Sequence, residues 1–329
     1  MELDTTGIKE RAQSPIIAFV RGIPMIYFVM TLIFVLIGIV QPNFYNPAPF
    51  FGFLKRAAPL VILSIGQMYV ILSGEFDLSI GSLITVCAAV AAKVIFHDPG
   101  KVWVAFGWIF AISLVVGIIN GLVTAKLKVP SFITTLGMML ILTGAISIYT
   151  RGAPQGGVTD NFRMYGRANI GDSVIPIALI ITLVVIIIGV LLMHFTTFGR
   201  RIYAVGGNPI AARLSGVRTD RIKILAFVLC ALSAGLGSIL IVGFAGMSSL
   251  IIGKGYEFQS ISAVVLGGVA LTGGRGNIGM VVAGALTLQA LFSLLNFLGL
   301  PLPIRLTVEG LIIIAAVALT AWREMRKSD

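Results

Sequence analysis

Ten runs of apolar residues, separated by short polar breaks, fill almost the whole chain: 22–40, 57–73, 78–96, 102–125, 131–149, 174–195, 222–245, 257–271, 277–298 and 304–322. About 20 residues in a helix cross the roughly 30 Å hydrocarbon core of a bilayer. Most of the runs reach that length, while 57–73 and 257–271 fall short, and only the stretch HDPGK parts 78–96 from 102–125. Lipid offers backbone groups no hydrogen-bond partners, so such runs must be helices. The pattern predicts an all-α, polytopic bundle of about ten transmembrane helices. It divides the chain into an N-terminal tail 1–21, a transmembrane domain 22–322 and a C-terminal tail 323–329.

Composition agrees. Apolar residues are 57% of the 329 and charged ones 11%, against about 45–50% and about 25% in soluble domains. Cys87 and Cys230 sit inside apolar runs, where they read as small packing residues and not as a disulfide or metal framework. The first run is long and lacks a small-residue cleavage site, so it is expected to be an uncleaved span. The formal charge of +11 is gathered between spans and not along an aromatic-interleaved face, which argues against nucleic acid.

The basic residues also orient the bundle, since Lys and Arg collect on the cytoplasmic side. With both ends cytoplasmic, fifteen fall inside and nine outside. This places the tails and the loop 196–221 in the cytoplasm, and 41–56, 150–173 and 246–256 on the opposite side.

Three polar segments carry candidate chemistry. The first is GEFDLSIGS (74–82), between two apolar runs. Asp77 directly precedes the run 78–96 and suits an N-cap. Ser79 and Ser82 can bond locally, and Gly74 and Gly81 let backbones turn or approach closely. A cap needs only one acid, so Glu75 is left over. Two readings stay open: a helix cap, or a pair that lines a polar path or subunit contact, in its sharpest form an ion-coupling carboxylate.

The second segment is LGGVALTGGRGNIGM (266–280), rich in Gly273, Gly274, Gly276 and Gly279. It contains a literal G-x-G-x-x-G, but a dinucleotide fingerprint needs a strand before it and a βαβ unit around it. Tight packing between interrupted helices fits better. The pattern G-x-x-x-x-G-K-[ST] does not occur in the chain, so no ATP hydrolysis and no cofactor are expected of it. GIING (117–121) is a further small-xxx-small face that permits close helix approach.

The third segment is FGRRIYAVGGNPIAARLSGVRTDRIKI (198–224). Asn208 suits an N-cap, Pro209 the first helical position and Gly216 the position after the C-terminus. These predict a helix of about two turns, too short to stand alone in water. Ile210, Ala211 and Leu214 can form an apolar patch with Arg213 and Arg218 outside it. Such a helix either lies on the membrane surface with basic anchors or docks into a cytoplasmic partner, with Ala212 and Leu214 expected in the contact.

Together the stretches VILSGEFDLSIGSL (70–83), GRRIYAVGGNPIAARLSGVRTDRIKILAFVLCALSAGLGSIL (199–240) and SISAVVLGGVALTGGRGNIGMVVAGAL (260–286) resemble the permease subunits of ribose-type ABC importers. The motifs come in the family's order and spacing, and the similarity runs from about 55 to 320. The family usually reads Gly-Gly-Ile-Asp-Leu-Ser where this chain has Gly74-Glu75-Phe76-Asp77-Leu78-Ser79; Glu75 and Phe76 depart.

The resemblance implies a type II importer-like permease in a bacterial inner membrane. It implies that 208–216 is the coupling helix for a cytosolic ATP-binding cassette ATPase. It further implies a second permease subunit, this chain or a homologue, and a periplasmic or lipid-anchored sugar-binding protein. Gln67, Asn120, Thr134, Gln289, Ser293 and Asn296 are polar residues within spans and so candidates to line the path, although interhelical bonding explains each equally well.

The competing class is an ion-coupled secondary transporter or channel using Glu75, Asp77 or Glu309. A membrane-embedded enzyme finds no support: His97 and His194 fall at opposite span ends, with no nucleophile–base or metal spacing.

Overall fold

The computed structural model describes residues 24–314, apart from 97, 155, 302, 309, 312 and 313. Among the described residues the chain is helical, with two isolated bridges and no strand. The long helices are α1 (Met25–Val40), α2 (Pro47–Leu72), α3 (Ile80–Ile95), α4 (Val102–Ala125), α5 (Ser131–Thr150), α7 (Ile177–Phe195), α10 (Thr219–Ala245) and α12 (Ile278–Phe297). Between them lie α6 (Asp160–Arg167), α8 (Thr197–Gly207), α9 (Pro209–Leu214) and α11 (Tyr256–Leu266). Of the tenth apolar run, 303–308 is helical. The tails 1–21 and 323–329, most of 309–322, Glu309 and His97 lie outside the described residues.

Among the described residues six helices are long and apolar enough to cross a membrane: α2, α4, α5, α7, α10 and α12. The 16 residues of α1 and of α3 reach about 24 Å, and the 11 of α11 about 16 Å. The run 257–271 is therefore not one helix. Its helix stops at Leu266, where Gly267 and a left-handed Gly268 (φ +78°) turn the chain.

Two further expectations are corrected. The run placed at 57–73 starts at Pro47, because Asn46 and Pro47 open a helix that continues through Lys55 and Arg56. Lys55 does not break it: its ammonium donates to the Arg167 carbonyl (2.8 Å) and Asn169 Oδ1 (3.3 Å). The polar stretches 150–173 and 196–221 also hold the short helices α6 and α8, both amphipathic, whose buried faces pack on α10.

α10 is the central helix, packed against α2, α3, α4 and α6. α2, α10 and α12 are mostly covered by neighbours, whereas α4, α5 and α7 present most of their apolar side chains outward, as lipid-facing helices do. Glycines let α10 approach α4: a Cβ at Gly117 would lie 2.7 Å from Val228 Cα, and one at Gly121 2.7 Å from Ile224 Cα. A second apolar cluster joins α1, α2 and α12 around Phe44 and Phe53.

The loops gather at two ends. At one, which we call the glycine end, 73–79, 203–208 and 267–277 meet. At the other, the Gly157–Met247 bridge and the Val158 N–H···O=C Gly246 bond (3.2 Å) tie the α5–α6 and α10–α11 loops. From there the chain turns back into the bundle. Gly253 N–H reaches Thr85 Oγ1 on α3 (3.2 Å), so α11 starts partway down and runs to the glycine end.

Gly117→Leu should drive a side chain into the α10 backbone, an overpacking cost of about 1–3 kcal/mol. It should lower the thermal midpoint of the detergent-purified protein. Gly107→Leu, on the same helix where a Cβ meets nothing within 4 Å, should leave the midpoint unchanged.

Candidate coupling helix and its glycine seat

The last four carbonyls of a helix have no partner within it. At the end of α2 all four are used. Tyr69 O and Val70 O accept from Ser73 N, Val70 O also from Glu75 N, and Ile71 O from Gly74 N at 2.9 Å. Leu72 O accepts from Gly274 N, in the α11–α12 loop, at 3.0 Å. Gly206, near the end of α8, packs into the same contact. A Cβ there would collide with Leu72 O and Gly274 N.

Gly273 and Gly274 (φ +89° and +71°) take the left-handed turn that brings the loop in. Gly276 adds its carbonyl, which accepts from the Tyr203 hydroxyl on α8 at 2.8 Å. Gly279 N–H caps α12 through Asn277 Oδ1 at 2.8 Å. The three Gly-bearing motifs, far apart in sequence, thus form one backbone-to-backbone seat.

From that seat projects α9. Asn208 Oδ1 accepts from Ile210 N (3.0 Å) and Ala211 N (2.9 Å), Pro209 holds the first position, and Gly216 (φ +80°) ends the turn. Ile210 and Leu214 are 73% and 85% exposed, an apolar pair left uncovered among the described residues. Ala212 is different. It is buried against the chain's own core, because a six-residue helix turns one face back to its mount. The outward face is therefore made by Ile210 and Leu214, with Ala211 and Arg213 also exposed. Arg213 reaches Thr219 Oγ1 (3.0 Å) and Asp220 Oδ1 (3.5 Å) in the first turn of α10.

The segment 74–82 sits directly beside this mount. Asp77 is buried, and its Oδ1 accepts from Ser79 N (2.8 Å) and Ser79 Oγ (2.6 Å). It was expected to cap the helix itself, but α3 begins at Ile80, so Asp77 shapes the turn one residue ahead of the first helical turn. Asn120 Nδ2 on α4 donates to Ser79 Oγ at 3.0 Å, and Ser82 Oγ donates to Ser79 O at 2.9 Å. Phe76 N donates to Ser131 Oγ on α5 at 3.1 Å.

Glu75 forms an ion pair with Lys223 on α10, partly buried on both sides. Gly81 lies against the carboxylate of Glu257, which leaves no room for a Cβ. Glu257, absent from the sequence candidates, is buried in the first turn of α11 and accepts from Gly255 N at 3.1 Å. An acid inside an apolar run was the signal for it.

The polar residues within spans separate into two groups. Gln67 and Asn120 are fully buried; Gln67 Oε1 accepts from Cys230 Sγ at 3.4 Å, while Gln67 Nε2 and Asn120 Oδ1 have no hydrogen-bond partner among the described residues. Ser293 is buried and donates back to Gln289 O at 2.9 Å. Thr134, Gln289 and Asn296 retain exposed surface, and Asn296 Oδ1 accepts from Arg305 Nη1 at 3.0 Å. Among the described residues there is no group of three His, Cys, Asp or Glu placed to hold a metal ion.

The chain belongs to the family described as the permease component of branched-chain amino acid transport systems, whose pattern it matches over residues 50–317. It is 36% identical over 290 residues to the ribose import permease protein RbsC of Escherichia coli K12, covering 88% of this chain and 90% of that one. It is 35% identical over 299 residues to the L-arabinose transport system permease protein AraH of the same strain, with 91% and 90% covered. The galactose/methyl galactoside import permease protein MglC of Haemophilus influenzae is 28% identical over 318 residues, with 92% and 95% covered. No solved structure matches the chain.

Gly206→Ala should wedge the seat apart and lower folded yield and thermal midpoint. Gly207→Ala, where a Cβ meets nothing within 4 Å, should leave both near the parent values.

Proposed function

We propose that this chain is the membrane-embedded permease of a sugar ABC importer, not itself an enzyme. A cytosolic ATP-binding cassette subunit would dock on α9 and supply the energy. The observation that carries this is the pair Ile210 and Leu214, 73% and 85% exposed, on a helix too short to stand without a mount. The family's description as one component of a transport system supports a partner, and the sugar-import relatives support the cargo class. A binding protein delivers the sugar, and the path runs between this chain and a second permease, the same chain or a homologue. Gln289 and Asn296 are the polar residues left to line it, since the Thr134 hydroxyl is itself buried. Gln67 and Asn120 are better assigned to packing.

In this reading the chain crosses an inner membrane about ten times, with both termini and the glycine end in the cytoplasm. The basic loop residues Arg200, Arg201, Arg213, Arg218 and Arg221 at that end support the orientation. Motion of the docked ATPase would move α9 and its seat, and through Leu72 O the end of α2. An ion-coupled mechanism has less to work with: Glu75 is paired with Lys223 and Asp77 is bonded to Ser79.

Leu214→Asp should place an unpaired charge in the docking contact, a cost of several kcal/mol that lowers ATPase occupancy by roughly tenfold or more. Membrane yield should hold, since the side chain touches little of its own chain. ATPase co-purified at the parental level, together with normal uptake of labelled sugar, would remove α9 from the mechanism.

Single cysteines introduced at Ser173 and Ser215 should react with a membrane-impermeant maleimide from opposite sides of intact cells and inverted vesicles. Labelling of both from one side would discard the topology.

A further inference from the structure

Glu75 is the residue that the sequence leaves without a task, and its geometry assigns it one. Its carboxylate pairs with the Lys223 ammonium across 148 positions of sequence. The side chains are 14% and 22% exposed, so the pair is screened far less than a surface ion pair. What the pair joins matters more than its strength.

Lys223 stands in the second turn of α10. The first turn of that helix holds Thr219 and Asp220, which Arg213 of α9 engages at 3.0 and 3.5 Å. On the other side, Glu75 belongs to the loop that hydrogen-bonds α5 through Phe76 N and Ser131 Oγ (3.1 Å). Two residues on, Asp77 and Ser79 bond α4 through Asn120 (3.0 Å). A continuous line of polar contacts therefore runs from the exposed helix α9, through the base of α10, to the ends of α4 and α5.

We propose that Glu75 and Lys223 are positioning residues that form a strut carrying displacement of α9 to the loop 73–79 and so to α4 and α5. The proposal rests on the importer reading above. Uncharged side chains at 75 and 223 would leave α9 able to bind its partner, while its movement reached the α2–α3 loop only through the glycine seat. Loss of the strut should thus separate two quantities that a damaged fold would lower together: energy use and cargo movement.

The test uses the complete importer, permease with its ATPase and binding protein, in proteoliposomes. Labelled ribose, arabinose and galactose serve as probes, the one imported by the parent being followed. Glu75→Gln and Lys223→Met should co-purify the ATPase at the parental level and hydrolyse ATP at a similar rate. Sugar imported per ATP should fall by roughly twofold or more, twofold being the lower end of the coupling between residues in contact. The charge reversal Glu75→Lys with Lys223→Glu should recover much of the loss.

Unchanged sugar per ATP in both single variants overturns the proposal. So does a charge reversal no better than the single variants, or loss of the ATPase from them, which would make the pair an assembly contact. Should Lys223→Met fail to elute as a single species, Glu75→Gln set against Glu75→Asp decides, because only the second keeps the charge. A parent assembly that imports none of the probes in an ATP-dependent way would sink the importer reading instead, and that outcome is read before any variant is compared.

Discussion

One carbonyl oxygen organises the glycine end of this molecule. Leu72 O is left over by its own helix, and in a region with little water it has to find a donor in the protein. The donor is Gly274 N, which arrives only because Gly273 and Gly274 take a left-handed turn and because Gly206 has no side chain in the way. From this one requirement follows the meeting of α2, α8 and the α11–α12 loop. The orientation of α9 follows in turn, since Asn208 comes two residues after Gly206. A mount made of backbone is stiff: there is no rotamer to change, so a push on α9 must move whole segments.

The charged residues divide their work accordingly. Asp77 is spent locally on Ser79 and, through it, on Asn120, which settles how α3 begins and how it sits against α4. Glu75, two positions earlier, points to another helix altogether. The turn between them sends the two carboxylates to different partners, and with the Phe76 N–H bonded to Ser131 one short loop binds α4, α5 and α10 at once.

Much of this was legible in the sequence and the rest was not, for definable reasons. The spans could be read because lipid demands length and apolarity, and α9 because Asn208, Pro209 and Gly216 are each specific to one helix position. The start of α2 was missed because Lys55 and Arg56 look like a break; Lys55 is accommodated by Arg167 and Asn169, more than a hundred residues away. α6 and α8 were hidden by their own amphipathicity within polar loops. Ala212 was placed on the wrong face because, in six residues, pattern cannot say which side is mounted. Partners such as Lys223 for Glu75, or Gly81 for Glu257, exist only in three dimensions.

The half-length helix α11 has an electrical consequence. A helix that begins partway into the bundle brings the positive end of its dipole with it, where the surroundings screen it poorly. In many carriers such an end is left open to attract anions. Here the chain fills it with its own carboxylate, Glu257, pressed against Gly81. The interior at that depth is locally compensated: the helix end that opens inside the bundle carries its own counter-charge and leaves no bare positive pole there.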